Sequence, residues 1–464
     1  MTVTADDIAA LVQKHYDALP PKRKPVVRGN GLREWVPLAG IVAQENDELW
    51  CLSFATGMKC LPASKIPQAQ GNVLHDWHAE VLAIRAFNRF VLEECRVLAL
   101  GGSSKFLRRR TSEEIGSSDH ANVEGEGGGQ NEWHGQPFTW KEDILLHMYC
   151  SEAPCGDASM ELIMASQEDA TPWELPPETL PNTSITATTT SSPPPTSPIP
   201  TPTPTPSLPG RAYFSQLGVV RRKPARSDAE PTLSKSCSDK LALHQITSLL
   251  SSTTALLVDP SHVYLHTLVL PESRYSEPAC LRAFSSSSAD GRMRSLSNVS
   301  LGGAGYAFRP FGISTTSSEF AFSQRSVSAA LSQVSSSSSH CAEAQKKGTT
   351  TAGIAASNLA VAWTLSGLIE STLGGVLQGR KQSAADKRGA SFASRGELWG
   401  LAASVASLMS NLIIEEIQEV LRSETYGEVK ASMLLEPRRR AKEEARAEAL
   451  KGWVRNLGDE SFTL

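Results

Sequence analysis

The stretch "VLHDWHAEVLAIRAF" (residues 73–87) passes from a polar His-x-Glu into an apolar pattern at helical spacing. Val81, Ile84, Phe87 and Val91 recur on one stripe, with Leu82, Ala86 and Phe90 beside it, which predicts a helix over 78–95. His78 and Glu80 then stand in its first turn. Downstream, "EDILLHMYC" (142–150) reads as a buried strand running into the turn "EAPCGDAS" (152–159), with a helix expected from Cys155. A cysteine at a strand-to-helix turn is placed where the helix N-terminus favours thiolate. An imidazole, a thiolate and a nearby carboxyl are the raw material of a catalytic metal centre, yet position 158, three residues after Cys155, is Ala rather than a second Cys.

The chain has 464 residues, enough for two or three average domains or one large domain with insertions. A net charge of −4 argues against a general nucleic-acid coat protein, but a local basic groove remains compatible with it, since phosphate binding depends on the patch rather than the sum. Eight cysteines lie without the tight spacings of a disulfide framework. The start "MTVTADDIAALVQKHY" has early aspartates and no apolar secretory core. The longest apolar run, "LWGLAASVASLMSNLII" (398–414), is broken by Ser and Asn and is a poor membrane span. The expectation is an intracellular protein, of cytoplasm or nucleus, with reduced cysteines and no membrane partner.

Three segments look unable to pack. Residues 101–138 mix Gly, Ser and charge without a period; 166–211 contain the Pro/Thr tract "PNTSITATTTSSPPPTSPIPTPTPTPSLP" (181–209); 284–350 carry runs of Ser. These are expected to be disordered insertions, because they bury too little to offset the entropy of ordering. The patterned blocks between them include strands at 34–43, 49–55 and 262–270, and the last 65 residues read as mostly helical. Alternating strands and helices imply an α/β layered fold, here a single domain over 1–464.

A catalytic zinc site needs three protein ligands and an open fourth position. With His78 and Cys155 as two, the third is sought among the other cysteines. Cys150 belongs to a strand, and Cys280 and Cys341 lie in or beside low-complexity sequence. Cys237, in "TLSKSCSDKLAL" (232–243), is poised at a helix start with Ser238 or Asp239 as cap, so the site closes best as His78, Cys155 and Cys237.

The order "HAE", "PCGD" and a distant "SCSDK" resembles the family of adenosine deaminases acting on RNA and the tRNA-specific adenosine deaminases. "ATGMKCLP" (55–62) resembles that family's segment lining the pocket, while "RRKPARSD" (221–228), "AVAW" (360–363) and "GRKQ" (379–382) are similar to the tRNA-specific branch. Met58 and Leu243 depart from the family pattern. The resemblance implies a three-layer cytidine-deaminase-like zinc fold with a helical C-terminal half. It also implies hydrolytic deamination of adenosine to inosine, with Glu80 shuttling protons and Thr56 and Lys59 touching nucleotide. The implied partner is tRNA, at adenosine 37 in the anticodon loop of alanine tRNA. Rival readings are a zinc deaminase of another base or free nucleoside, or a deaminase-like RNA-binding subunit without catalysis. The presence of Glu80 weighs against the last.

The basic block "RRRAKEEARAEALKGWVR" (438–455) would ordinarily be a solvated helix laced with ion pairs. The family resemblance implies instead a buried inositol hexakisphosphate. Arg85, Lys240, Tyr426, Lys430 and Trp453 match its contact positions, Arg438, Arg439, Arg440 and Lys442 are further candidates, and Asp76 with Lys240 matches a polar chain from that ligand to the metal.

Overall fold

The computed structural model describes residues 2–116, 133–166, 208–209, 216–223, 230–297, 299, 304–337, 353–382 and 387–464. The centre is an eight-stranded mixed sheet: β1 (Leu38–Glu45), β2 (Glu48–Thr56), β3 (Leu145–Cys150), β4 (Leu265–Pro271), β5 (Gly312–Thr316), β6 (Leu359–Thr364), β7 (Ile369–Leu373) and β8 (Val376–Leu377), in the order β5-β4-β3-β1-β2-β6-β7-β8. Strands β3, β4 and β5 run parallel to one another, while every pair from β3–β1 to β7–β8 is antiparallel.

The strands alternate between two apolar layers, as a two-residue period requires. Ala39, Ile41 and Ala43 of β1, Leu146 and Met148 of β3, and Leu268 and Leu270 of β4 join the core with helix α2 (Ala79–Ala99). Leu38, Val42, Tyr149 and Val269 join the opposite layer with helix α1 (Ala5–Asp17). A register shift opposite Ile41/Val42 leaves Leu52 as an extra residue in β2, so Cys51 and Phe54 face α1 while Leu52 and Ala55 face α2. Gly40 lets α1 settle on the sheet, for a Cβ there would lie 2.6 Å from Val12.

The α2 layer is extended by α3 (Met160–Ala165), α4 (Cys237–Thr247) and α5 (Glu277–Phe284), while α6 (Gln324–Ser337) packs beside the strand Arg33–Trp35. The C-terminal helices are α7 (Arg395–Ser407), α8 (Leu412–Leu421), α9 (Tyr426–Ala431) and α10 (Glu436–Glu448). One apolar cluster runs from Ala39 to Phe462. Trp399, Tyr426 and Phe462 form an aromatic knot, with Tyr426 and Phe462 stacked at 5.0 Å.

The expected insertions differ in what they contain. In 101–138 the strand Leu107–Arg109 pairs with Phe138–Trp140, and residues 117–132 lie outside the described residues. Residues 167–207 lie outside them too, and Leu208–Pro209 pairs with Arg221–Arg222. Within 284–350 the structure has a 3-10 turn at Arg292–Leu296, strand β5 and helix α6, and buries Met293, Leu296, Phe311 and Phe320. A few large apolar residues hold this stretch despite the surrounding serines. Among the described residues, no helix is long and apolar enough to cross a membrane.

Candidate active site

Three turns converge at the C-terminal end of β3 and the N-terminus of α2. The first is made by His78, the N-cap residue of α2. Its backbone N–H and its Nδ1 lie 3.0 and 2.9 Å from Asp76 Oδ1. With Nδ1 committed to Asp76, Nε2 is the nitrogen left to bind a ligand, the arrangement by which a carboxylate orients a metal-binding imidazole. The end of β2 approaches this turn at Gly57, where φ is +137° and a Cβ would sit 2.2 Å from the Trp77 carbonyl oxygen. In the first turn of α2, Glu80 is 6% exposed.

The second turn follows β3 and carries Cys155; the third opens α4 and carries Cys237. They are stitched together. The Cys237 N–H points at Cys155 Sγ (3.3 Å), the Ser238 N–H donates to the Cys155 carbonyl (3.0 Å), and Ser238 Oγ donates to the Pro154 carbonyl (2.9 Å). Gly156 has φ +105°, and a Cβ on it would fall 2.2 Å from Ser236 Oγ. The helix cap is Ser236, accepting from the Asp239 N–H, rather than Ser238 or Asp239. Those two side chains are engaged across the turn, Ser238 with Pro154 and Asp239 with Arg221 and Arg292. Cys155 is followed by a 3-10 turn at Asp157–Ser159 before α3 begins.

The electrostatics favour bound thiolate. A hydrogen bond from Cys237, together with the Lys223 ammonium and the His78 ring, holds the Cys155 thiol well below its ordinary pKa despite burial. Burial and the neighbouring Cys155 push Cys237 the opposite way. Lys223 Nζ lies 3.2 Å from Cys237 Sγ and 2.8 Å from Asp76 Oδ2. Asp76 also accepts from Ser234 Oγ (2.6 Å) and from Lys240. Although burial would raise it, Lys223, Lys240 and His78 keep the Asp76 carboxyl well below the usual carboxylate range. Glu80 is shifted up, by burial and then by the Cys155 charge. A carboxyl raised in this way holds a proton more readily than a free one, which suits a group that must both take and return protons.

The expected residues His78, Glu80, Cys155 and Cys237 are thus brought together. A second donor set overlaps them: the ligand atoms of Cys60, Asp76 and His78 lie within 4.8 Å of one another. Cys60 Sγ is 3.6 Å from His78 Nδ1. Asp76 is a weak candidate ligand, because five donors already surround its oxygens. Thr56 is 2% exposed, and its Oγ1 accepts from the Val361 N–H (3.1 Å), while Lys59 is exposed and contacts Asn358. Cys341 lies outside the described residues. Lys223 and Cys60 carried no role in the sequence reading. Their neighbours are distant in sequence, so no spacing announces them.

Beside this centre is a cavity of about 580 Å³, lined by ten Lys and Arg residues against Asp76, Glu443 and Glu460. Arg85, Lys240, Lys430 and Trp453 line it as expected; Arg395, Lys235 and Arg446 join them without having been anticipated. Tyr426 lines a smaller adjoining cavity that shares Lys240, Lys430 and Lys442 with the first. Burial, then Arg438, Lys430 and Arg446, push Lys442 well below the usual lysine range. Burial and Lys240 bring Lys235 to about 7. Lys235 and Arg446 lie over the Trp453 ring at 5.3 and 5.6 Å. Buried like charges at this density disfavour one another unless an anion joins them.

Residues 53–457 match the family model of the adenosine-deaminase (editase) domain. The chain is 36% identical over 320 residues to a Schizosaccharomyces pombe protein named tRNA-specific adenosine deaminase 1, covering 68% of this chain and 69% of that one. It is 30% identical to the Saccharomyces cerevisiae protein of the same name, over 57% of this chain and 58% of the other. The similarity to the Drosophila melanogaster double-stranded RNA-specific editase Adar is 26%, over 51% of this chain and 30% of that protein.

Proposed function

The chain belongs to the adenosine-deaminase (editase) family and is a deaminase, and from that premise we propose that it converts adenosine to inosine in tRNA, at adenosine 37 beside the anticodon of alanine tRNA. The names of its relatives support the tRNA substrate. The nucleotide position rests on the resemblance of the motifs. The whole chain is read as one editase domain interrupted by insertions.

The observation that carries the chemistry is a buried, upward-shifted Glu80 next to the low-pKa Cys155 and the ring of His78. The donor set fits zinc: one imidazole with its far nitrogen fixed by a carboxylate, and two adjacent cysteines with a buried ammonium to balance their charge. His78, Cys155 and Cys237 would hold it, and when bound it supplies an acidified water able to attack C6 of adenine at neutral pH. Glu80 takes one proton from the attacking water and delivers it to the ring nitrogen, which keeps it, and then takes the second proton, from the hydroxyl now on C6, and delivers it to the departing amine. One water is consumed, and ammonia and inosine are released. Asp76 keeps the His78 ring turned, and Lys223 bridges Asp76 to Cys237. Thr56 and Lys59 are assigned to the rim of the nucleotide pocket, where Lys59 is the exposed member of the pair.

The cationic cavity is assigned to inositol hexakisphosphate, whose phosphates would neutralise Arg85, Lys240, Lys430 and the arginines of α10, with Trp453 and Tyr426 at its walls. Lys240 contacts Asp76, so the same lysine faces both the polyanion and the metal centre.

The assay is inosine formation in an alanine tRNA transcript, read by nuclease digestion and mass spectrometry, together with metal content. Wild type should carry one zinc and convert only the adenosine beside the anticodon. Cys155→Ser and Cys237→Ser should each lose most of the metal and nearly all activity, and Cys60→Ser should keep both. Metal loss in the Cys60 variant, with retention in Cys237→Ser, would transfer the site to Cys60, Asp76 and His78.

A further inference from the structure

Two residues past each cysteine of the proposed site stands an aspartate: Asp157 after Cys155 and Asp239 after Cys237. Both are completely buried. Neither touches a thiol through an identified hydrogen bond, yet each is gripped by an arginine from the same short segment. Arg282, on α5, lays Nε 3.1 Å from both carboxylate oxygens of Asp157 and directs Nη2 to the Asp157 carbonyl at 3.1 Å. Its outer edge holds Glu161 of α3, with Nη1 at 2.6 Å and Nη2 at 3.0 Å from the two carboxylate oxygens. Arg292, in the 3-10 turn beyond α5, places Nη1 2.5 Å from Asp239 Oδ1 and fixes its own stem with Nε on the Ala283 carbonyl at 2.9 Å. The remaining oxygen of Asp239 accepts from the Arg221 N–H (2.9 Å) and Ser236 Oγ (2.6 Å).

We infer that Arg282 and Arg292 are positioning residues, a pair of guanidinium struts that fix the distance and orientation between the Cys155 turn and the Cys237 turn. The inference rests on the reading that these two cysteines hold the metal. Their common base is the segment 277–296, since α5 packs on the Asp157–Ser159 turn and on the Arg292–Leu296 turn. Arg221 sits in the field of both aspartates. Three arginines (221, 282, 292) therefore face three carboxylates (157, 161, 239), so the cluster adds no net charge near the thiols and acts through geometry. Only a planar fork can bind a carboxylate side-on while also reaching a backbone carbonyl; an ammonium keeps the charge and loses the direction. Thiolates on two separate turns meet a tetrahedral ion only if both turns are held, and supports of this kind typically change metal affinity by about 10- to 100-fold.

The test uses Arg282→Lys and Arg292→Lys in the full chain, loaded with Co2+ as a spectroscopic stand-in for zinc. Each variant should keep the wild-type far-ultraviolet circular dichroism but show weakened or shifted cobalt ligand-field bands. Metal loss to a chelator should be about tenfold faster or more, with a lower kcat and a KM for tRNA within about twofold of wild type, as expected when reacting groups rather than binding surfaces are displaced. Cobalt bands and release rates equal to wild type would overturn the inference, whatever happens to thermal stability. Should either variant fail to fold, Glu161→Gln removes only the outer partner of Arg282, and a smaller change in the same direction is expected. No change there overturns the assignment of Arg282. A wild-type protein whose cobalt spectrum lacks thiolate charge-transfer bands would instead defeat the metal-site reading, and the struts with it.

Discussion

Glu80 and Gly156 show what single residues contribute. Glu80 is buried beside the proposed ligands without being counted among them, so Glu80→Gln should lower inosine formation by about 10²- to 10⁴-fold, the usual weight of a general acid–base group, while metal content stays at one per chain. Loss of the metal in that variant would make Glu80 a ligand. Gly156→Ala should be damaging for another reason: its φ of +105° disfavours any Cβ, and that Cβ would strike Ser236 where the two cysteine turns meet. Metal retention and activity should both fall sharply, with little change in tRNA affinity. At this scale local spacing singles out His78, Glu80 and Cys155, and weighing the other cysteines adds Cys237; the fold brings these four near one another. Lys223, Arg282 and Arg395 were opaque, because each is defined by partners brought in from distant segments.

Elements were legible in proportion to their periodicity. Helix α2 begins at Ala79, directly after His78, and runs to Ala99, a turn beyond its expected end. Strands β1 and β2 fall on the alternating blocks. The cap of α4 was misplaced by two or three residues, because the side chains best suited to capping are drawn into contacts across the turn. Low apolar density misrepresented 284–350, where buried apolar residues such as Met293, Leu296, Phe311 and Phe320 anchor a 3-10 turn, β5 and their surroundings. The Pro/Thr tract has only Ile185, Ile199 and Leu208 as large apolar side chains. Excising residues 181–206, which spares the Leu208–Pro209 pairing, should leave the melting temperature within about 2 °C and activity unchanged, a loss of under about 0.5 kcal/mol by the usual scaling. A drop of more than about 5 °C in differential scanning fluorimetry would show that the tract packs.

For the whole molecule, the cationic cavity sets the pH response. Lys235 titrates at about 7 in the folded chain and near 10.5 when unfolded, and Lys442 is displaced the same way. Between those values the unfolded chain binds more protons, so without a polyanion stability should rise from pH 7 to pH 9 and fall as pH drops back. Bound inositol hexakisphosphate favours the charged lysines and should flatten that slope, stabilising most at the lower pH. His147 and His244 act in a different window. Burial lowers both to about 4, so below the ordinary histidine value near 6.5 the unfolded chain takes protons that the folded one refuses, and stability should decline towards pH 4. Melting curves from pH 4 to 9, with and without the polyphosphate, check both. A pH 7–9 slope indifferent to the ligand would remove it from this cavity.

The cavity also has an order of assembly. Arg85 and the Asp76 turn are synthesised with the first half of the sheet, Lys235 and Lys240 follow well after, and Arg438, Arg446, Trp453 and Arg455 emerge from the ribosome hundreds of residues later. Until those last residues arrive, the wall that completes the basin does not exist. An anion gripped by all of these cations must then be captured as a late event of biosynthesis, when Phe462 stacks on Tyr426 and Asp459 meets His75 and Arg395. A chain that stops short of its last segment would lack that wall and hold the anion with only the earlier half of its cations.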